Sequence, residues 1–175
     1  MKKTLFTLLL GLMAFTAQAQ VYVGGSMGFW RNYDDNHTTL TVAPEVGYKL
    51  SDKWDLGTSV GFTHLYNKGV KVNGIAIDPY ARWSYVKFGP VSLHLDMGFG
   101  LNTYKVKDAD DSQVGWRIGV APGVRISMAK HIDFVASVGF LGFRDADDDY
   151  CSYGEDGFGF HVSGNDLRFG INYRF

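Results

Sequence analysis

"VSLHLDMGFGLNTY" runs from Val91 to Tyr104, and its two faces are unlike each other. Val91, Leu93, Leu95, Met97, Phe99 and Leu101 share one face. Ser92, His94, Asp96, Gly98, Gly100 and Asn102 share the other. Period two marks a strand with one apolar side. Alternation alone does not say which side points inward, because a soluble barrel and a membrane barrel have the same period. Composition does. A water-facing surface would favour Lys, Glu and Thr, and glycine inside a strand weakens it. Glycine fits where eight strands crowd together and leave little interior room. The small, polar face therefore points in, and the apolar face points to lipid.

The same pattern recurs along the chain. Leu40, Val42, Val46 and Tyr48 continue the apolar face, as do Val114, Trp116, Ile118, Val120, Val124 and Ile126, while Gly57, Ser59 and Gly61 belong to the small one. Eight runs are predicted, roughly 20–30, 38–50, 54–66, 74–88, 91–104, 113–128, 132–143 and 164–175. Most are about 11 to 16 residues long, against the ~5–6 usual in soluble sheets. A tilted strand crosses a bilayer in roughly 9–11. Short turns at 51–53, 89–90 and 129–131 alternate with longer polar loops at 31–37, 67–73, 105–112 and 144–163. Short turns on one side and longer loops on the other are the habit of outer-membrane barrels. The fold class expected is all-β, an eight-stranded antiparallel up-and-down transmembrane barrel.

The first nineteen residues, "MKKTLFTLLLGLMAFTAQA", have two lysines, an apolar run from Leu5 to Phe15, and Ala17 and Ala19 before the break. They read as a secretory signal peptide, too short to span a bilayer as a helix, followed by one barrel domain over 20–175. Without Lys2 and Lys3 the formal charge falls from −1 to about −3, so nothing points to nucleic acid. Cys151 is the single cysteine, so no disulfide within the chain is expected.

On the inward face, Glu45, Asp55, Asp78, Asp96, Asp133 and Asp166 face Lys49, Arg82, Arg117, Arg125, Arg168 and Arg174, with His94 beside them. Buried charges must be paired, since an isolated one costs several kcal/mol. A side-chain-filled, ion-paired lumen is the expectation, with a narrow ion path as the alternative. Pro44, Pro79 and Pro122 fall inside strands, where a missing N–H predicts a bulge or a break in the ladder. Aromatic residues near strand ends (Trp54 and Tyr48, Phe134, Trp30 and Tyr66) suggest interfacial girdles.

With the eight-strand pattern, "TVAPEVGYKL" at 41–50 and "LRFGINYRF" at 167–175, the chain resembles the small eight-stranded outer-membrane barrels of the OmpX and OmpA-domain type, the "porin family" barrels. The resemblance covers residues 20–175. It implies an integral protein of a Gram-negative outer membrane with both termini periplasmic. Its implied partners are outer-membrane lipid and lipopolysaccharide, and the barrel-assembly machinery during insertion. In that family the last strand is the insertion signal, carried here by Gly170, Ile171, Tyr173 and Phe175. The expected protein is a monomer without cofactor or catalysis, serving envelope stability, adhesion or ligand contact. The loop partner is not specified by the sequence.

Two stretches offer chemistry. "HVSGND" at 161–166 resembles the His-x-Ser pairing of the lipid A deacylases, which implies an alternative hydrolase with His161 activating Ser163. That family's acid follows the serine by about a dozen residues. Here that region holds Phe175 and no Glu, so Asp166 or Glu155 would have to serve. An ordinary loop-to-strand junction is the plainer reading. In "RDADDDYCSYGED", Asp145, Asp147, Asp149 and Asp156 match positions 1, 3, 5 and 12 of a calcium loop. Tyr150 occupies the place where such loops need Gly. A solvated acidic loop is the expectation, with loose divalent-cation contact as the alternative.

Overall fold

A computed structural model describes residues 20–32, 36–107, 111–146, 156–162 and 167–175. Its strands are β1 (Gln20–Asn32), β2 (His37–Lys49), β3 (Trp54–Asn67), β4 (Val70–Phe88), β5 (Val91–Val106), β6 (Gln113–Ala129), β7 (Ile132–Ser137), β8 (Phe140–Ala146), β9 (Gly157–His161) and β10 (Arg168–Arg174). Strands β1 to β6 pair in sequence, antiparallel. β6 pairs with β7 in its lower part and with β8 in its upper part. β10 pairs with β7 on one side and β1 on the other, which closes the sheet. β9 pairs with β8. Taken as two broken strands, β7 with β8 and β9 with β10 complete an eight-stranded barrel.

Three expectations change. The loop read at 67–73 is a two-residue turn, Lys68 and Gly69, both at positive φ (46° and 98°). Asn67 pairs directly with Val70, so β4 begins four residues before the expected Gly74. Positive φ at both central residues matches the right-handed twist of a hairpin. The seventh strand, expected unbroken over 132–143, stops at Ser137 and resumes at Phe140. Gly139, at φ +71°, turns the chain there, and Val138 N donates to Pro122 O at 3.0 Å. One residue is gained, so Asp133 and Phe140 both face inward and Leu141 and Phe143 face out. The eighth strand, expected over 164–175, has its regular part at 168–174, and β9 forms within the stretch read as a long loop.

The prolines open the ladders rather than bulging them. Pro44 pairs with Gly25 of β1, while the β2–β3 ladder skips from Val42 to Glu45 with its register unchanged. Pro79 pairs with Thr58, and the β4–β5 ladder skips from Ile77 to Tyr80. Of these three prolines Pro122 alone has a register shift beside it, at the Val138–Gly139 break; the ladders shift also at Ser84/Val86 and Ser127/Ala129. Each proline faces outward, with its missing N–H on one neighbouring strand.

The outer surface is apolar. Phe62, Ile75, Ile77, Leu101, Ile118, Phe143, Phe169 and Ile171 are all exposed, several by half or more. In water this surface would be costly. Against lipid tails it is the ordinary condition of a membrane strand. Aromatic rings cluster towards the ends of the barrel. Trp54 stacks on Trp83 at 6.2 Å and Tyr173 meets Phe175 edge-on at 5.1 Å on the short-turn side, and Phe143 meets Phe158 at 4.6 Å on the other. Phe134 stacks on Phe169 at 5.8 Å. In the first short turn, Lys49 Nζ donates to Asp52 Oδ1 at 3.0 Å and holds that carboxyl below its ordinary value. Lys49 thus serves the turn rather than the lumen. Phe175 N donates to Val21 O at 3.0 Å, so the last residue is tied to the first strand.

Candidate functional site

The inward face sorts into two zones. Near the short turns, charged side chains pair along the inner wall and, in one case, across the lumen. Arg82 grips Asp96 with both prongs, Nε to Oδ1 at 2.6 Å and Nη2 to Oδ2 at 2.8 Å. Arg125 donates to Asp55, joining β6 to β3 across the barrel. Arg174 Nη2 donates to Asp133 Oδ1 at 2.9 Å. His94 lies among them, fully buried, with Nε2 3.7 Å from Asp96 Oδ1 and no hydrogen-bond partner on either ring nitrogen among the described residues. Its ring occupies space that a side chain on Gly123 would need. Fork-on-carboxylate geometry gives such pairs both strength and a fixed direction.

Two tyrosines complete this layer. Tyr22 and Tyr80 share a hydrogen bond at 2.8 Å between their hydroxyls. The Tyr22 ring lies over Gly47 and the Tyr80 ring over Gly57, so closely that any Cβ at either glycine would overlap the ring. Higher up, Arg117 Nε and Nη2 both donate to Asp78 Oδ1, at 3.1 and 2.7 Å. Asn172 donates its amide to Glu45. The tyrosines and Asn172 escaped the charge-based reading. Their signal was there in the parity, since each occupies an inward position.

Above this layer the lumen is not filled. A cavity of about 500 Å³ extends from Arg82 and Asp96 towards the loop end, reaching His37, Leu65, Tyr104 and Arg144. Asp55, His94, Arg125, Asp133 and Arg174 lie outside it, below. The expectation of a side-chain-filled lumen therefore holds only for the short-turn half. Glycine and small hydroxyl residues in the upper strands leave the space. Ser26, Thr39, Thr41, Ser59 and Thr63 line one wall, and Arg117, Arg144 and Arg168 another. Phe140 lies between two guanidiniums, Arg144 at 4.6 Å and Arg117 at 5.7 Å from its ring centre.

The chemical candidates fare differently. His161 ends β9 opposite Phe140, and its side chain, like Ser163, Asp166 and Glu155, lies outside the described residues. Asp145 accepts a hydrogen bond from Trp116 Nε1 at 2.9 Å on the outer face, and Asp156 precedes β9. Asp147, Asp149 and Cys151 lie outside the described residues. Among the described residues no three His, Cys, Asp or Glu side chains gather as a metal site. Gly170, Ile171 and Tyr173 lie on β10 and pair with Ser26, Gly25 and Val23 of β1.

A closed eight-stranded barrel with a lipid-facing belt and a polar interior defines an integral outer-membrane protein. The chain belongs to the outer membrane protein beta-barrel domain family, whose model matches residues 4–175. Among solved structures it is similar to the N-terminal β-barrel domain of Pseudomonas aeruginosa OprF, at 16% identity and a TM-score of 0.55, covering 90% of this chain and 97% of that one. It is likewise similar to Neisserial surface protein A, at 18% identity and a TM-score of 0.53, again covering 90% and 97%. At these identities the likeness concerns the fold. No curated protein matches the chain.

Proposed function

We propose that this protein is a non-conducting, non-catalytic outer-membrane barrel that stabilises the envelope and offers its loop-side cavity and loops for ligand contact. It sits in lipid and lipopolysaccharide as a monomer, with both termini in the periplasm and the longer loops outside. Residues 1–19 direct export, and the last strand addresses the chain to the insertion machinery. The carrying observation is the ion-paired layer at the short-turn end: Arg82–Asp96 and Arg174–Asp133 join neighbouring strands, and Arg125–Asp55 reaches across the lumen from β6 to β3. An ion crossing it would have to displace guanidiniums from carboxylates in a region of low dielectric. The cavity above is then a blind cup.

Planar-bilayer recording tests this directly. The purified barrel should give no conductance steps, and the pair Arg82→Ala with Asp96→Ala should introduce them. Regular steps from the unmodified protein would make it a narrow channel instead. The hydrolase reading is separated by Ser163→Ala. Lipid A from cells expressing either form should have the same mass, and a difference would establish catalysis.

A further inference from the structure

We infer that the lipid-facing side of β3, β4 and β5 at the loop end is a binding surface for the phosphorylated headgroup of a glycolipid in the outer leaflet. The inference rests on the orientation proposed above, with the longer loops outside, and names the lipid contact through which the barrel engages the envelope.

Lys71 and Lys107 carry it. Val72 pairs with Val106, and Lys107 N donates to Lys71 O at 2.7 Å, so the two lysines stand directly opposite one another on β4 and the end of β5. Val72 and Val106 pack with Tyr104 on the inner side, which turns both lysines outward, and both are exposed. Residues so placed have Cβ atoms about 4.5–5.5 Å apart, and like charges there repel. Lys105 follows on the same face, opposite Asn73. The chain has no Asp or Glu at 61–77 or at 98–107. At the short-turn end, by contrast, Lys49 has its carboxylate in Asp52. A phosphate lying between Lys71 and Lys107 would turn their repulsion into attraction.

Depth and neighbours say which phosphate. Lys71 lies about twelve residues along β4 from Trp83; at ~3.3 Å each and a tilt of about 40°, that is roughly 30 Å, the thickness of the hydrocarbon core. Trp83 stacks on Trp54 at the short-turn border, so the lysines stand at the opposite, outer border. Between the borders the same strands offer Phe62, Ile75, Ile77 and Leu101, each about half exposed, to acyl chains. Beside the lysines, His64 Nδ1 donates to Asn73 Oδ1 at 2.7 Å. That bond uses the Asn73 oxygen and leaves its amide N–H groups as donors for a sugar hydroxyl. A soluble phosphate would use only the lysines, and an acyl chain only the belt. A phosphorylated glycolipid uses the whole surface.

Native mass spectrometry of the refolded barrel in neutral detergent, with bis-phosphorylated lipid A, dephosphorylated lipid A and phosphatidylglycerol as separate probes, tests the assignment. EDTA is present, so that carboxylates cannot bridge to phosphate through divalent ions. Bis-phosphorylated lipid A should bind more tightly than either other probe. A lysine beside anionic headgroups is worth about fivefold in affinity, so Lys71→Gln with Lys107→Gln should weaken that binding about thirtyfold. Removing the phosphates should cost the unmodified protein a similar factor and the double variant little more. Lys71→Arg with Lys107→Arg should preserve binding. Lys53→Gln with Lys130→Gln, the same charge change at the short-turn end, should leave it unchanged. A gel shift on boiling confirms that each variant is folded. Undiminished binding of lipid A by the Lys71 and Lys107 glutamine variant overturns the inference, as does an equal loss in the short-turn variant. Phosphatidylglycerol bound as tightly as lipid A overturns the glycolipid assignment. Micelles have no sides, so any of these failures leaves the loops-outside reading standing; protease cleavage of the loops on intact cells tests that reading by itself.

Discussion

Arg125 on β6 donates to Asp55 on β3, seventy residues earlier in the chain, and the contact passes straight across the lumen. Both side chains are largely buried. It fastens opposite walls of the barrel, which no hydrogen bond of the ladder can do. Asp55→Asn or Arg125→Ala alone should therefore cost about 3–5 kcal/mol, because each leaves a buried charge without its partner. The double variant should recover much of that loss. Urea titration of the barrel in detergent, followed by gel mobility without boiling, reads the difference; strictly additive losses would deny the coupling.

The Tyr22 ring and Gly47 form a second interlock. Gly47→Ala should destabilise the barrel by forcing the ring off β2, and adding Tyr22→Ser should relieve the clash at the expense of the 2.8 Å hydrogen bond to Tyr80. Tyr22→Phe alone should cost about 1 kcal/mol, the usual net worth of one hydrogen bond. A double-mutant cycle of unfolding free energies checks this. Independence of Gly47 and Tyr22 would place the ring elsewhere.

Deleting Val138 should be far worse than its position suggests. The extra residue between Ser137 and Phe140 sets which face each β8 side chain takes. Without it Phe140, Gly142 and Arg144 turn to lipid, while Leu141 and Phe143 turn inward. An arginine on the lipid face costs about 2–4 kcal/mol at mid-bilayer and less near the interface. Folding yield in vesicles, compared with Val138→Ala, measures the effect. A yield equal to that substitution would show the register to be adaptable.

Removing Phe175 should leave refolding of the purified protein nearly unchanged, since the ring is 69% exposed. In cells it should lower the amount of heat-modifiable protein in the outer membrane severalfold. Equal levels in cells would show that the last strand is not the insertion signal.

Much of the barrel was legible because lipid and lumen impose opposite compositions on alternate residues. The 91–104 stretch alone fixes the sense of the sheet, and its pairings with β4 and β6 keep the expected faces. Turn chemistry was harder. "NKG" at 67–69 looks like a loop start because Lys71 and Asn73 are polar, yet both belong to β4 beyond the hydrophobic belt. The strand break at Val138–Gly139 is invisible to periodicity, since "VASVGFLGF" is apolar or small on both parities. Ion partners were also beyond reach. Charge balance says that Arg125 needs an acid, but only closure selects Asp55 over Asp133. The cavity follows from the sizes of inward residues summed around eight strands, a quantity that no single strand displays.

The seam between β1 and β10 joins residues about 150 positions apart, such as Tyr22 and Arg174, whereas β1 to β6 are joined as successive hairpins. Those hairpins can form early and locally, the Lys68–Gly69 one first among them, with little chain entropy lost to each loop. The seam must wait for every strand before it. High sequence separation is what makes folding slow. On this ground the slow step of folding should be the meeting of the two ends, with β1 and β10 each left as an open edge until then.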